Sequence, residues 1–160
     1  MLRNGKLISK LLPDACLATK QMQLEDIEPN RLVDREILQI CQSNNDPLPL
    51  LCLRCRVSHP LEAWIRATYK KFHEKYKLEM TAMASYALDD VAALTIRTNP
   101  NDHKPFTYAE IRSMPKGLIS PFSAEVLRTY DPQQCGLPHW SRLKLQCNSD
   151  LKSYLKQQGL

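Results

Sequence analysis

Apolar residues recur every three to four positions along much of the chain after residue 30, and this spacing is typical of amphipathic helices. The clearest case is the segment 59–77, where Pro60 suits the first helical turn and Ser58 or His59 can cap it. Its basic residues then occupy much of the outer surface. The inward face predicted for this helix comprises Leu61, Trp64, Ile65, Tyr69, Phe72 and Tyr76.

The same periodicity predicts further helices at about 31–43, 79–94, 121–130 and 138–158, with a short helix that Thr107 can cap. Gly159 lies where a glycine commonly caps the C-terminal end of a helix. The predicted core residues are, in chain order, Leu32, Ile37, Ile40 and Cys41; Met80, Met83, Ala84, Ala87, Leu88 and Val91; Phe122, Val126, Leu127 and Tyr130; and Trp140, Leu143, Leu151, Tyr154 and Leu155.

Two segments are harder to interpret. The segment 47–57 is apolar but has few β-branched residues, so a buried loop, a turn of helix and a short strand all remain open. For residues 1–30 we predict an arm that is either partly disordered or a short helix. The apolar face of that helix would consist of Leu7, Ile8, Leu11 and Leu12, and Pro13 would end the helix. We therefore expect an all-α fold: a single domain over 31–160, built as a compact bundle of about five helices, with an irregular N-terminal arm.

The composition is consistent with one ordinary globular domain. The chain has 160 residues, of which 43% are hydrophobic and 24% charged, and a net charge of +5 that is compatible with a nucleic acid or an acidic protein partner. No apolar run reaches the length of a membrane span. Lys6, Lys10 and Asp14 interrupt the N-terminus where a secretory signal would need a continuous apolar stretch. We expect a cytoplasmic protein with reduced thiols and no membrane partner.

The six cysteines include one short motif, Cys52-x-x-Cys55, with Cys41 upstream and His59 downstream. Such a pair can supply two zinc ligands or act as a redox motif. Zinc would need a second pair, and Cys135 and Cys147 are too far apart in sequence to provide one at a recognisable spacing. Apolar packing is therefore the favoured interpretation and no metal is expected, although zinc at Cys52 and Cys55 stays open.

No catalytic motif is present. The four histidines are scattered, and four glycines are too few for a phosphate-cradling glycine-rich loop. The pair Asp89 and Asp90 is consistent with solvated charge near a helix end. We expect no enzyme, no cofactor and no small-molecule substrate.

The C-terminal third is basic and aromatic. Its cations are Arg128, Arg142, Lys144, Lys152 and Lys156, and Trp140, Asn148 and Tyr154 lie among them. Cations bind phosphates, and exposed aromatic rings stack on unpaired bases. The alternative is an ordinary amphipathic helix with Trp140 and Tyr154 in the core, and residue types alone favour that alternative.

Residues 124–156 resemble the second conserved region of the bacterial sigma factors of RNA polymerase. The similarity rests on Tyr130-Asp131-Pro132, Gly136, Trp140, Asn148 or Ser149, Asp150 and Leu155, and it covers about a fifth of the chain. Pro138 departs from the family pattern, and neither the clamp-docking segment nor the C-terminal helix-turn-helix is recognisable. A fragment or a divergent relative would explain these departures.

The resemblance implies binding without chemistry, with DNA (single-stranded or a melting promoter) and RNA polymerase as partners. Helix 138–158 would lie along the melted strand, with Trp140 either stacking on a base or pinning the helix to the core. The nucleic-acid-binding residues predicted in this way are Arg128, Trp140, Arg142, Lys144, Asn148 and Lys152. The competing hypothesis is a helical protein–protein adaptor without nucleic-acid binding, whose partner docks on helix 59–77. An enzyme is the least favoured class.

Overall fold

Helices make up nearly all of the regular structure in a computed structural model that describes residues 2–3, 6–7, 13–23, 28, 30–44, 46–88, 106–114 and 122–160. The all-α prediction is confirmed, but these ranges contain more helices than the five expected. Two antiparallel strands of two residues each precede the helices. The elements are β1 (Leu2–Arg3), β2 (Lys6–Leu7), α1 (Pro13–Gln21), α2 (Arg31–Ser43), α3 (Leu48–Tyr76), α4 (Met80–Ala87), α5 (Tyr108–Ser113), α6 (Phe122–Arg128), α7 (Leu137–Gln146) and α8 (Ser149–Gln157).

Pro13 was predicted to end a helix, and the structure shows that it begins one, α1. A proline at the first helical position loses nothing, since the N–H it lacks has no intrahelical partner there. Leu7 lies in β2, and Ile8, Leu11 and Leu12 are outside the described residues. Helix α1 packs on α3 and contributes Ala18 to the core.

Helix α3 is the scaffold of the fold, and it packs against α1, α2, α4, α6 and α7. It spans 29 residues and therefore includes both the ambiguous segment from residue 48 onward and the helix predicted to begin near residue 59. That predicted start was wrong, because Pro60 lies inside the helix, where it removes one backbone hydrogen bond. Burial on both sides of the proline offsets this cost, since Leu53, Val57, Leu61 and Ile65 are all fully buried.

The bounds predicted for α2 are confirmed, but its buried face differs from the predicted one. The Asn30 side chain caps the helix by accepting hydrogen bonds from the backbone N–H groups of Leu32 and Val33. Leu32, predicted to face inward, is 67% exposed. The predicted core residues Ile37 and Cys41 are buried, and the other buried residues of this helix are Val33, Asp34 and Leu38.

The middle helices follow their predicted apolar patterns, but α4 ends at Ala87 and not near residue 94 as predicted. Met83, Ala84 and Ala87 of α4 are buried, while Val91, Asp89 and Asp90 lie outside the described residues. The predicted cap at Thr107 is confirmed, because its hydroxyl accepts from the N–H of Glu110 at 3.3 Å. The Glu110 carboxylate accepts from the N–H of Thr107 at 2.7 Å in return, which completes a capping box.

The single helix predicted over 138–158 is two helices, α7 and α8. Asn148 separates them because its Oδ1 accepts from the N–H of Leu151 at 2.9 Å and so starts a new helix. Leu143, predicted to be buried, is 39% exposed. The cap at Gly159 is confirmed: its φ is +88°, and Leu160 N–H donates to the Leu155 carbonyl at 2.9 Å, as in a Schellman motif.

A buried ion pair joins α2 to α3, and the sequence patterns did not predict it. The Arg56 guanidinium donates through Nε and Nη2 to the two carboxylate oxygens of Asp34, whose side chain is fully buried. Tyr130 is buried nearby, and burial, together with the Asp34 charge, raises the pKa of Tyr130 to about 12. Its hydroxyl has no hydrogen-bond partner among the described residues.

We expect Tyr130→Phe to raise the free energy of unfolding at neutral pH by about 1 kcal/mol, because it removes a buried hydroxyl that has no such partner. The pKa of this phenol is higher in the folded state than its ordinary value of 10, so the unfolded chain loses the proton first. The hydroxyl therefore makes stability fall as the pH rises from about 10 to about 12. Urea denaturation at pH 7 and pH 11 should show a larger advantage of the phenylalanine variant at the higher pH. A variant less stable than the wild type would contradict this account.

Candidate nucleic-acid interface

Two of the predicted phosphate-binding cations, Arg128 and Lys144, are brought together but share one carboxylate. The Arg128 guanidinium forms an ion pair with Glu125 and donates to the Met114 carbonyl at 3.3 Å. The Lys144 ammonium lies 3.9 Å from the other oxygen of Glu125. These interactions partly neutralise both cations and hold α6 against α7. The three-residue spacing of Glu125 and Arg128 is a signal for such a pair in the sequence.

Trp140 is half-buried and anchors α7 to α6. Its indole Nε1 donates to the Val126 carbonyl at 3.3 Å, and the Lys144 ammonium lies 5.1 Å from the ring centre. An indole whose N–H is hydrogen-bonded and whose ring is close to an ammonium group is less available for stacking on a base. This geometry favours the second of the two predicted roles, in which Trp140 pins its helix to the core.

Asn148 uses both ends of its amide inside the fold. Its Oδ1 caps α8, and its Nδ2 donates to the Tyr86 carbonyl at 3.0 Å. Tyr154 reinforces the same junction, because its hydroxyl accepts from the N–H of Glu79 at 2.8 Å. These bonds assign Asn148 to joining α8 and α4.

The remaining two predicted residues, Arg142 and Lys152, are exposed, and so is Lys156. None of the three forms an ion pair with another described residue. Within the described ranges, no carboxylate competes with an external anion for these three cations.

A second group of cations lies in the last two turns of α3 and at the residue that follows the helix. Lys70, Lys71, Lys75 and Lys77 are all exposed. The Lys71 ammonium lies 4.9 Å from the Phe72 ring centre, and that of Lys75 lies 5.0 Å from the Tyr76 ring centre. The sequence pattern identified these lysines only as the outer surface of a helix, since nothing local showed what would lie beside them.

The ends of α3 and α8 meet. A methyl group built on Gly159 would lie 3.6 Å from the Tyr76 ring, so the C-terminal cap of α8 sits against the end of α3. Lys156 is therefore at the same end of the molecule as Lys75 and Lys77. We call Lys70, Lys71, Lys75, Lys77 and Lys156 the α3–α8 basic surface.

The cysteine motif lies within α3 and not in a metal-binding loop. Burial raises the pKa of Cys52 and Cys55, and it raises that of Cys41 to about 12, so these thiols stay protonated. All six cysteines are free, and no group of three or more metal-ligating side chains occurs within the described ranges. These features favour apolar packing over metal binding or redox chemistry.

Comparison of the chain with protein-family models, curated proteins and solved structures finds no significant match. The resemblance to sigma factors therefore stays a prediction. In the part of the chain that the structure describes, no helix is both long enough and apolar enough to cross a membrane.

Proposed function

We propose that this protein binds nucleic acid without chemistry, through phosphate contacts made by the α3–α8 basic surface. The observation that carries the proposal is the group of four exposed lysines, three in the last turns of α3 and Lys77 directly after it, next to the end of α8. Glu74 is the one exposed acid between residues 70 and 77. A surface of one predominant sign attracts a polyanion, and the net charge of +5 adds to that attraction.

The protein should bind phosphates more than bases. Lysine ammonium groups are flexible point charges that bind phosphate oxygens without reading sequence. Phe72 and Tyr76 pack partly against the core and already carry lysines near their rings, which leaves less aromatic surface for stacking. Single-stranded and double-stranded nucleic acid should therefore both bind.

The sigma-factor resemblance supports DNA as the nucleic acid, and it would make RNA polymerase a second partner. Exposed Arg142 and Lys152 would then extend the phosphate-binding surface from α7 and α8. Arg128, Trp140, Lys144 and Asn148 would support the fold of this region. The adaptor hypothesis uses the same helix α3, so the charge dependence of binding separates the two.

The test is binding of a labelled oligonucleotide without a terminal phosphate, single-stranded and duplex, at several salt concentrations. We expect Lys70→Gln/Lys71→Gln/Lys75→Gln to weaken binding roughly tenfold or more at low salt. The log–log slope of affinity against salt should become shallower by about one unit for each lysine that binds a phosphate in the wild type. The matched control is Lys6→Gln/Lys10→Gln/Lys20→Gln, which removes the same number of charges from the N-terminal segment and should bind almost as tightly as the wild type.

Equal weakening in the two triple variants would reduce the effect to net charge and overturn the assigned surface. No binding of the wild type at low salt would reject nucleic-acid binding altogether, since the attraction between lysines and phosphates is strongest there. The helical adaptor would then be the better hypothesis.

A further inference from the structure

A polar cleft lies between α2, α5 and the segment 128–133, with a volume of about 320 Å³. Three arginines line it: Arg35 from α2, Arg112 from α5 and Arg128 at the end of α6. We propose that this cleft binds a phosphate monoester, as carried by a nucleotide or by the end of a nucleic-acid strand. The cleft shares no residue with the α3–α8 basic surface, and the proposal does not rest on that surface.

Two of these arginines have no ion-pair partner in the part of the chain that the structure describes. Arg35 and Arg112 are exposed, and neither forms an ion pair with any residue in the described ranges. Arg128 is held by Glu125 and the Met114 carbonyl, so it contributes a fixed positive group at the wall. Guanidinium groups donate pairs of hydrogen bonds to phosphate oxygens, and cations from three elements can surround a doubly charged phosphate monoester.

The one acidic residue in the lining, Asp131, is already engaged within the wall. Its Oδ1 accepts from the N–H of Gln133 at 2.9 Å, and its Oδ2 accepts from Nε2 of Gln134 at 3.1 Å. The carboxylate therefore stabilises the turn of the segment 128–133. Glu125 partly neutralises Arg128, so Arg35 and Arg112 supply the excess positive charge over this one carboxylate.

The wall is also fixed to α2 before any ligand arrives. The Arg31 guanidinium donates through Nε to the Pro132 carbonyl at 2.6 Å and through Nη2 to the Gln133 carbonyl. A site whose walls are already positioned loses less conformational entropy when it binds. The volume is at the lower end of the range for small-molecule sites, which suits a mononucleotide or a sugar phosphate.

Isothermal titration calorimetry with a nucleoside 5′-monophosphate, the matching nucleoside and inorganic phosphate tests the proposal. We expect the monophosphate and inorganic phosphate to bind and the nucleoside to bind at least roughly tenfold more weakly, because hydrogen bonds to charged groups carry the affinity. Arg35→Gln and Arg112→Gln should each weaken monophosphate binding roughly tenfold, with thermal denaturation confirming that both variants fold. Lys20→Gln, which removes an exposed cation of α1 outside both proposed sites, should leave it unchanged.

An oligonucleotide with and without a 5′-phosphate identifies the source of the phosphate. Tighter binding of the phosphorylated strand that Arg112→Gln abolishes would assign the cleft to strand ends, and no such difference would assign it to free small molecules. Equal binding of nucleoside and monophosphate, or monophosphate binding unaffected by both arginine substitutions, would overturn the proposal. If the α3–α8 basic surface does not bind nucleic acid, the lysine substitutions will not weaken oligonucleotide binding. The monophosphate titrations are unaffected by that outcome.

Discussion

We expect Asp34→Ala to lower the free energy of unfolding by about 3–5 kcal/mol, because it leaves a mostly buried guanidinium without its carboxylate. The Asp34 side chain is 0% exposed and that of Arg56 is 17% exposed, so water cannot replace the missing partner well. Both carboxylate oxygens accept hydrogen bonds from Arg56, and the alanine variant can form neither bond. Urea denaturation followed by circular dichroism measures the change.

Glu36→Ala is the matched control, since Glu36 is an exposed acid two residues further along α2. It should change stability by no more than about 0.5 kcal/mol. The double variant Asp34→Leu/Arg56→Met should recover most of the stability, because replacing both charges with apolar groups removes the unpaired ion. Equal effects of Asp34→Ala and Glu36→Ala would show that the ion pair is not buried in solution.

Leu53→Ala should destabilise the protein by about 2–5 kcal/mol, since it removes a fully buried side chain and leaves a cavity. Leu53 lies in the segment 47–57, which the structure assigns to α3. The control is Leu32→Ala in α2, the same chemical change at a residue that is 67% exposed. That variant should stay within about 0.5 kcal/mol of the wild type.

Thermal or urea denaturation of the two leucine variants therefore tests the structure where it differs most from the sequence pattern. The pattern placed Leu32 in the core and could not assign the segment that holds Leu53. A larger effect at Leu32 than at Leu53 would contradict the packing of α2 and α3.

Features governed by neighbouring residues were predictable from the sequence. The bounds of α2, the cap at Thr107 and the cap at Gly159 each depend on hydrogen bonds within a few residues of backbone. The buried positions Leu61 and Ile65 follow from helical periodicity in the same way.

The candidate site was only partly predictable, because residue type does not say which partner a charge will have. The three-residue spacing of Glu125 and Arg128 signals their pair in the sequence, but Lys144 meets Glu125 only because α7 packs against α6. Arg142 and Lys152 are exposed, which is consistent with the predicted binding of phosphates. The cleft arginines Arg35 and Arg112 are far apart in sequence, so no local pattern could relate them.

The sequence by itself determined that the chain is all-α, where several helices begin and end, and that its charge is positive. The tertiary structure decided that α3 continues through Pro60 and that Asn148 divides the last predicted helix. It also decided that Asp34 is buried while Leu32 is exposed. The physical reason is that a helix cap or an apolar period acts over one or two turns, whereas burial depends on which helix lies opposite, often many residues away in the chain.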